Sequence, residues 1–268
     1  MIDVLEYPSP EASETTVVYA VGDVHGRLDL LQAMDRLIAE DIAATRPERP
    51  TVCYLGDYID RGPHSAEVIS YLAARADASP VERPGRPGEG AAPARVFLKG
   101  NHEDRMLDFF AAPDVHGPAW MEYGGIEALA SYGLTAGREP AGGDWDRLRD
   151  ELRGRLPALH LDFLRSLRLA FVWRNYVFVH AGLNPDRPMH AQDPHDLMWI
   201  KEPFLSSTRE WSHRVVHGHV VGPEPVFRDN RIGIDTGASR FGRLTCLVVS
   251  DGPPRVLQAQ RAESGPGQ

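Results

Sequence analysis

Several short apolar runs in this chain end in a glycine-flanked residue that can hold a metal ion or a phosphate. Residues 17–21 run into Gly22-Asp23-Val24-His25-Gly26, and residues 51–55 into Gly56-Asp57-Tyr58-Ile59-Asp60-Arg61-Gly62. Residues 95–99 lead to Gly100-Asn101-His102-Glu103, residues 176–180 to His180-Ala181-Gly182, and residues 214–217 to His217-Gly218-His219. Pooled, these groups are carboxylates, imidazoles and one amide oxygen. Calcium and magnesium favour oxygen alone, so a mixed oxygen and nitrogen set suits manganese, iron or zinc better. The set exceeds the needs of one ion. A carboxylate such as Asp57 could bridge two ions roughly 3.5–4 Å apart, the spacing used for phosphoester chemistry. Taken singly, each fragment has a plain reading as a turn or a core histidine; the recurrence of strand, glycine and ligand is what those readings leave unexplained.

The elements that must position these groups follow from hydrophobic pattern. The runs 17–21, 51–55, 95–99, 176–180, 214–217, 231–235 and 245–250 are short and rich in β-branched or aromatic residues, as buried strands are. Between the first two, Leu28, Leu31, Met34, Leu37 and Ile38 recur at helical spacing, and 144–168 also reads as helical. Strand–helix–strand alternation predicts an α/β domain, with a mixed or mostly antiparallel sheet in the second half. In open α/β sheets, ligands gather at the carboxyl ends of strands. Asp23 and His25 stand two apart, so an extended segment presents both on one side. The domain is expected over 17–250, between a flexible leader (1–16) and a flexible tail (251–268). The Pro/Gly-dense stretch 78–94 is expected to be an exposed loop.

In order and spacing, GDVHG, GDYIDRG, GNHE, HAG and GH resemble the signature blocks of the PPP-type metallophosphatases. These are the Ser/Thr protein phosphatases with their bacterial and phage relatives, within the calcineurin-like metallophosphoesterase superfamily, and the symmetrical dinucleoside tetraphosphate hydrolases. The resemblance implies a central mixed β-sandwich flanked by helices. It implies two divalent metal ions, most simply Mn²⁺, with Fe, Zn or Ni as alternatives. Asp23, His25 and Asp57 would hold the first; Asp57, Asn101, His180 and His219 would hold the second, His219 being chosen over His217 because the family's ligand follows the glycine. A hydroxide activated by the metal pair would attack phosphorus in line. Arg61 and Asn101 would bind the substrate phosphate, His102 would protonate the leaving group, and Asp60 would orient His102. Asp235 would hold a ligand histidine from behind, and Glu103 would support the fold or the metal shell. The chain departs from the family at Lys99 and Lys201, its only two lysines, which stand where relatives place phosphate-binding arginines. A roomier phosphate grip is expected there, because an ammonium is a point charge and a guanidinium a fork.

Composition narrows the partners. The chain has 268 residues, 42% hydrophobic and 25% charged, with net charge −9. That balance argues against a nucleic-acid polymer as partner. No apolar run approaches the ~20 residues of a membrane helix, and the first residues lack a signal-peptide order, so a cytoplasmic protein is expected; its compact length resembles that of the family's bacterial and phage members. Cys53 and Cys246 read as buried reduced thiols. The leading expectation is a protein Ser/Thr phosphatase acting on a phosphoprotein or phosphopeptide. Glu103 favours it, since the dinucleotide hydrolases more often carry aspartate in that block. A dinucleoside tetraphosphate or other nucleotide hydrolase is the alternative. A non-catalytic scaffold ranks last because every metal position is intact. Trp120, Tyr123 and Trp199 are candidates for a groove wall or, equally, for core packing, and His64, His116, His160, His190, His195 and His213 for surface positions.

Overall fold

The computed structural model describes residues 4–6, 16–77 and 92–261. In chain order the strands are β1 (Val4–Glu6), β2 (Thr16–Val21), β3 (Arg49–Tyr54), β4 (Ala94–Phe97), β5 (Ala170–Trp173), β6 (Tyr176–Val179), β7 (Arg214–His217), β8 (Val226–Phe227), β9 (Arg231–Gly233), β10 (Arg243–Val249) and β11 (Arg255–Gln260). The helices are α1 (Leu28–Thr45), α2 (Ser65–Asp77), α3 (Asn101–Ala111), α4 (Pro113–Trp120), α5 (Ile126–Ser131), α6 (Trp145–Arg155), α7 (Ala158–Ser166), α8 (Pro194–Trp199) and α9 (Ala238–Phe241).

Two mixed sheets face each other. One has the order β11-β10-β2-β3-β4, the other β1-β5-β6-β7-β9-β8. Every residue of β2 is buried, because both of its faces are covered. Val18 and Ala20 point between the sheets, where they meet Cys53, Phe171, Phe178, Val216 and Ile232. Val17, Tyr19 and Val21 point the other way, onto Leu30, Leu31, Met34 and Ile38 of α1. The outer face of the second sheet is closed by Leu197, Ile200 and Phe204. Helices on sheet on sheet is the arrangement anticipated from the motif blocks.

Topology brings the strand ends together. Neighbours β2, β3 and β4 are parallel, so the loops after them share one rim. Neighbours β6, β7 and β9 are also parallel, so the loops after them share the matching rim of the other sheet. The two rims join where Nδ1 of His180 donates to the Leu55 carbonyl at 2.9 Å.

The structure differs from the sequence reading in several places. Val4–Glu6, inside the expected leader, pairs parallel with β5. Arg255–Gln260, inside the expected tail, pairs antiparallel with β10 over its whole length. The Pro/Gly content around this strand conceals the short pairing segment. The helix expected over 144–168 is two helices, broken at Leu156, whose extended backbone precedes Pro157. Of the proposed 78–94 loop, residues 78–91 lie outside the described residues. Cys53 and Cys246 are free and buried, as expected. No helix among the described residues is long and apolar enough to cross a membrane.

Candidate metal centre and active site

Asp57 stands at the middle of the joined rims. Its carboxylate lies 3.4 Å from His180 Nε2, 3.5 Å from His25 Nε2 and 3.8 Å from His102 Nε2. Burial opposes its ionisation, but the facing imidazoles of His180, His102, His25 and His219 outweigh burial and hold its carboxyl below the usual range. Asn101, the first residue of α3, turns its Oδ1 to His180 Nε2 at 3.0 Å and to His219 Nδ1 at 2.9 Å.

The donor set fits cations. His25 Nδ1 lies 2.9 Å from the Ile59 carbonyl and His180 Nδ1 2.9 Å from that of Leu55. A bond to a carbonyl requires the proton on Nδ1, so both Nε2 lone pairs face inward. Burial lowers the pKa of both rings and pushes that of His219 down to about 3, so all three are neutral at pH 7 and can each offer a lone pair. Lone pairs of His180 and Asn101 thus face each other and the Asp57 carboxylate, a clash that a cation between them resolves. Nε2 of His219 is itself buried without a hydrogen-bond partner. Among the described residues two groups could hold an ion: His25, Asp57 and His102, and Asp57, His180 and His219.

Asp23 is turned differently from its neighbours. Both of its oxygens accept the backbone N–H of His219, at 3.2 and 3.0 Å. Burial, Asp235 and Asp57 raise its pKa. Asp235, expected to brace a histidine, instead faces Asp23 and accepts the Gly237 N–H at 3.0 Å; burial pushes its pKa up to about 6. His217 is buried against Phe204, with Nδ1 3.0 Å from the Gly218 carbonyl. His217 belongs to neither group of side chains among the described residues that could hold an ion.

Backbone conformation holds the ligands. His25, Asp57, Asp60, Arg61 and His219 all adopt positive φ. Such clustering stores strain at a site that surrounding structure must over-determine. Glu103 supplies much of that support. Its carboxylate accepts the N–H groups of Asp57 (2.9 Å), Tyr58 (2.7 Å), Ile59 (3.3 Å) and Gly100 (2.9 Å). Burial raises its pKa to about 7. Glycine does the rest: a Cβ on Gly100 would fall 2.1 Å from Asp57 Oδ1, and one on Gly218 2.0 Å from Asp23 Oδ1.

His102 is gripped from behind. Its Nδ1 lies 2.6 Å from Asp60 Oδ2, leaving Nε2 toward Asp57 and 2.9 Å from Arg61 Nη2. Burial alone would lower the His102 pKa, but Asp57 and Asp60 raise it. Asp60 also receives the Trp120 indole N–H at 3.1 Å and the two side chains are 0% exposed, so Trp120 is no groove wall. Sequence reasoning missed this role, which no local pattern announces. Arg61 reaches His25 Nε2 at 2.9 Å and lines two cavities. One, of about 290 Å³, includes His25, Asp235 and Arg240. The other, of about 370 Å³, includes Tyr123, Gly124 and Arg138. Of the two lysines, Lys99 lies 3.8 Å from Asp104, while Lys201 is exposed and close enough for its charge to help lower the His219 pKa. His160, expected at the surface, is buried between Ser70 and Tyr132, at 2.8 and 2.9 Å.

A two-sheet sandwich with an aspartate and histidine cluster on one rim defines a metallophosphoesterase. The calcineurin-like phosphoesterase family model matches residues 16–241, and the chain belongs to that family. Among curated proteins it is similar to the asymmetrical bis(5'-nucleosyl)-tetraphosphatase PrpE of Anoxybacillus flavithermus, 22% identical over 246 residues, 85% of this chain and 88% of that protein. The protein of that name from Bacillus anthracis is 26% identical over 250 residues, again 85% and 88% of the two chains. Among solved structures, one provisionally described as a diadenosine tetraphosphatase superposes with a TM-score of 0.62 at 18% identity, covering 98% of this chain and all of that one. The cold-active protein-tyrosine phosphatase of a Shewanella species gives 0.53 at 17% identity, covering 96% and 83%. At these identities the structures speak for the fold.

Proposed function

We propose that the protein is a metal-dependent hydrolase of dinucleoside polyphosphates, splitting a tetraphosphate bridge asymmetrically into a nucleoside monophosphate and a nucleoside triphosphate. The observation that carries this reading is the nature of the relatives: matches to asymmetrical bis(5'-nucleosyl)-tetraphosphatases covering 85% of this chain and 88% of theirs. It reverses the order of the two readings made from sequence, in which a protein Ser/Thr phosphatase came first. Glu103 had weighed toward the phosphatase. In the structure it is a fully buried acceptor for backbone amides, a role indifferent to substrate.

In this proposal Asp23, His25 and Asp57 would hold one cation, and Asp57, Asn101, His180 and His219 the other. Bound there, divalent ions would polarise phosphoryl oxygens and make water a nucleophile at neutral pH. Arg61, reaching in from the surface, neutralises oxygens of the phosphoryl group under attack, and its planar fork suits that task. His102 donates a proton from Nε2 to the leaving phosphate oxygen, held in register by Asp60. The two cavities flanking Arg61 offer room on both sides of the attacked phosphorus.

A competition assay tests the reading. Metal-reconstituted protein is given diadenosine tetraphosphate and a phosphothreonine peptide together. The proposal expects kcat/KM for the dinucleotide to exceed that for the peptide at least tenfold; the reverse ratio overturns it.

A further inference from the structure

Arg105 lies on α3 four residues beyond Asn101, the spacing that places two side chains on one helix face. Its guanidinium sits between two aromatic rings, 4.1 Å from the Tyr123 centroid and 4.6 Å from that of Trp199. The clamp is braced from outside. His195 stacks on Trp199 at 5.7 Å and 11° between planes, and the Trp199 indole N–H donates to Asp104 at 3.2 Å. A guanidinium held flat by its faces keeps its N–H edge free for an acceptor.

No acceptor among the described residues meets that edge. Among the described residues Arg105 makes no ion pair and no hydrogen bond, and its Nε is buried without a partner. Arg75 shows the contrast: it also stacks on a tyrosine, Tyr71 at 3.3 Å, yet its Nε lies 3.2 Å from Asp35. A half-buried cation left without an anion is a costly arrangement unless a ligand supplies the anion. Arg105 also lies within the field of the site, since Asp57, Asp60 and Arg61 all act on its charge. Tyr123, its clamp, lines the 370 Å³ cavity together with Arg61. The backbone joins them as well: the Arg61 N–H donates to the carbonyl of Gly124, next to Tyr123, at 3.3 Å.

We propose that Arg105, clamped between Tyr123 and Trp199, binds the phosphates of a polyphosphate chain that lie beyond the phosphorus held at Arg61, and so makes the site selective for polyphosphates over single phosphoesters. This rests on the nucleoside polyphosphate reading above and names the residue that would recognise it. A lone phosphoryl group is served by Arg61 and the cluster around Asp57; the further negative charges of a longer chain need a second fixed cation. Arg105 supplies one, about a helical turn beyond Asn101 on α3.

The test compares two inorganic probes as competitive inhibitors of p-nitrophenyl phosphate hydrolysis by the full-length, metal-reconstituted protein. Orthophosphate and tripolyphosphate are titrated at equal free metal concentration against wild type, Arg105→Ala and Arg105→Lys. The inhibition constant for tripolyphosphate should rise at least tenfold more than that for orthophosphate in Arg105→Ala, and Arg105→Lys should recover part of the difference. Equal shifts for both probes, or none, overturn the proposal. Should Arg105→Ala fail to fold, Tyr123→Leu, at a position 46% exposed, removes one face of the clamp and should give the same selective direction. Neither probe is a nucleotide. If diadenosine tetraphosphate is not hydrolysed, the substrate reading fails, while the ratio of inhibition constants still judges Arg105.

Discussion

His102 Nδ1 and Asp60 Oδ2 are 2.6 Å apart, and neither side chain touches solvent. A buried carboxylate so placed fixes the imidazole tautomer and aims Nε2 at the Asp57 cluster. His102→Asn should therefore lower kcat by about 10²–10⁴-fold, the usual worth of a positioned proton donor. Asp60→Asn should cost about 10–100-fold, as loss of an orienting partner does. Both variants should keep their metal, measured by elemental analysis of dialysed protein; full turnover in either would remove His102 from the proposed role.

The glycines of the GNHE and HGH blocks are required by close approach. In Gly100→Ala the new Cβ would fall 2.1 Å from Asp57 Oδ1, and in Gly218→Ala 2.0 Å from Asp23 Oδ1. Real Cβ atoms do not come so near, so the carboxylates must move. The expected outcome is folded protein by circular dichroism with metal content reduced by half or more. Unchanged metal content in both would show that these carboxylates are not ligands.

Glu103 holds four backbone N–H groups from the two loops that carry Asp57 and Asn101. An amide in its place offers one acceptor oxygen and turns N–H against N–H. Each orphaned donor costs about 1–3 kcal/mol, so Glu103→Gln should lose roughly 3 kcal/mol of stability in urea denaturation. A loss under about 0.5 kcal/mol, the range of ordinary surface substitutions, would contradict this role.

His160 should make the fold sensitive to acid. Buried between Ser70 and Tyr132, it has its pKa lowered by desolvation. The unfolded chain then takes up the proton first, near pH 6.5. Stability tied to the neutral ring is full above about pH 6.5 and is lost as pH falls from there toward the lower folded value. The melting temperature of His160→Gln should thus change less between pH 7 and pH 5 than that of the wild type. An equal slope would place the acid sensitivity elsewhere.

The rim where Asp, Asn and His side chains gather was legible because each piece announces itself locally: a strand, a glycine, then Asp, Asn or His. What the sequence could not show are relations between distant segments. Trp120 reads as any aromatic residue until the chain turns it onto Asp60, 60 positions away. Asp235 carries no local sign that it faces Asp23 rather than a histidine. Arg105 is one arginine among many, set apart by two rings from other elements and by the lack of an anion among the described residues. The two lysines drew notice through rarity, yet Lys99 faces Asp104 in the structure. Strands β1 and β11 escaped notice because they are edge strands, specified by their partners more than by their own pattern. Glu103, one of the signs that put the phosphatase first, serves the backbone, so it carries no weight in substrate choice.

The most direct test of the account is the product pattern from diadenosine tetraphosphate. Protein stripped of metal should leave it intact. Protein reconstituted in turn with Mn²⁺, Mg²⁺, Zn²⁺ and Ni²⁺ should, with at least one of them, release AMP and ATP in equal amounts, read by anion-exchange chromatography. Turnover to ADP alone, or an intact dinucleotide beside rapid dephosphorylation of a phosphothreonine peptide, would contradict the proposed function.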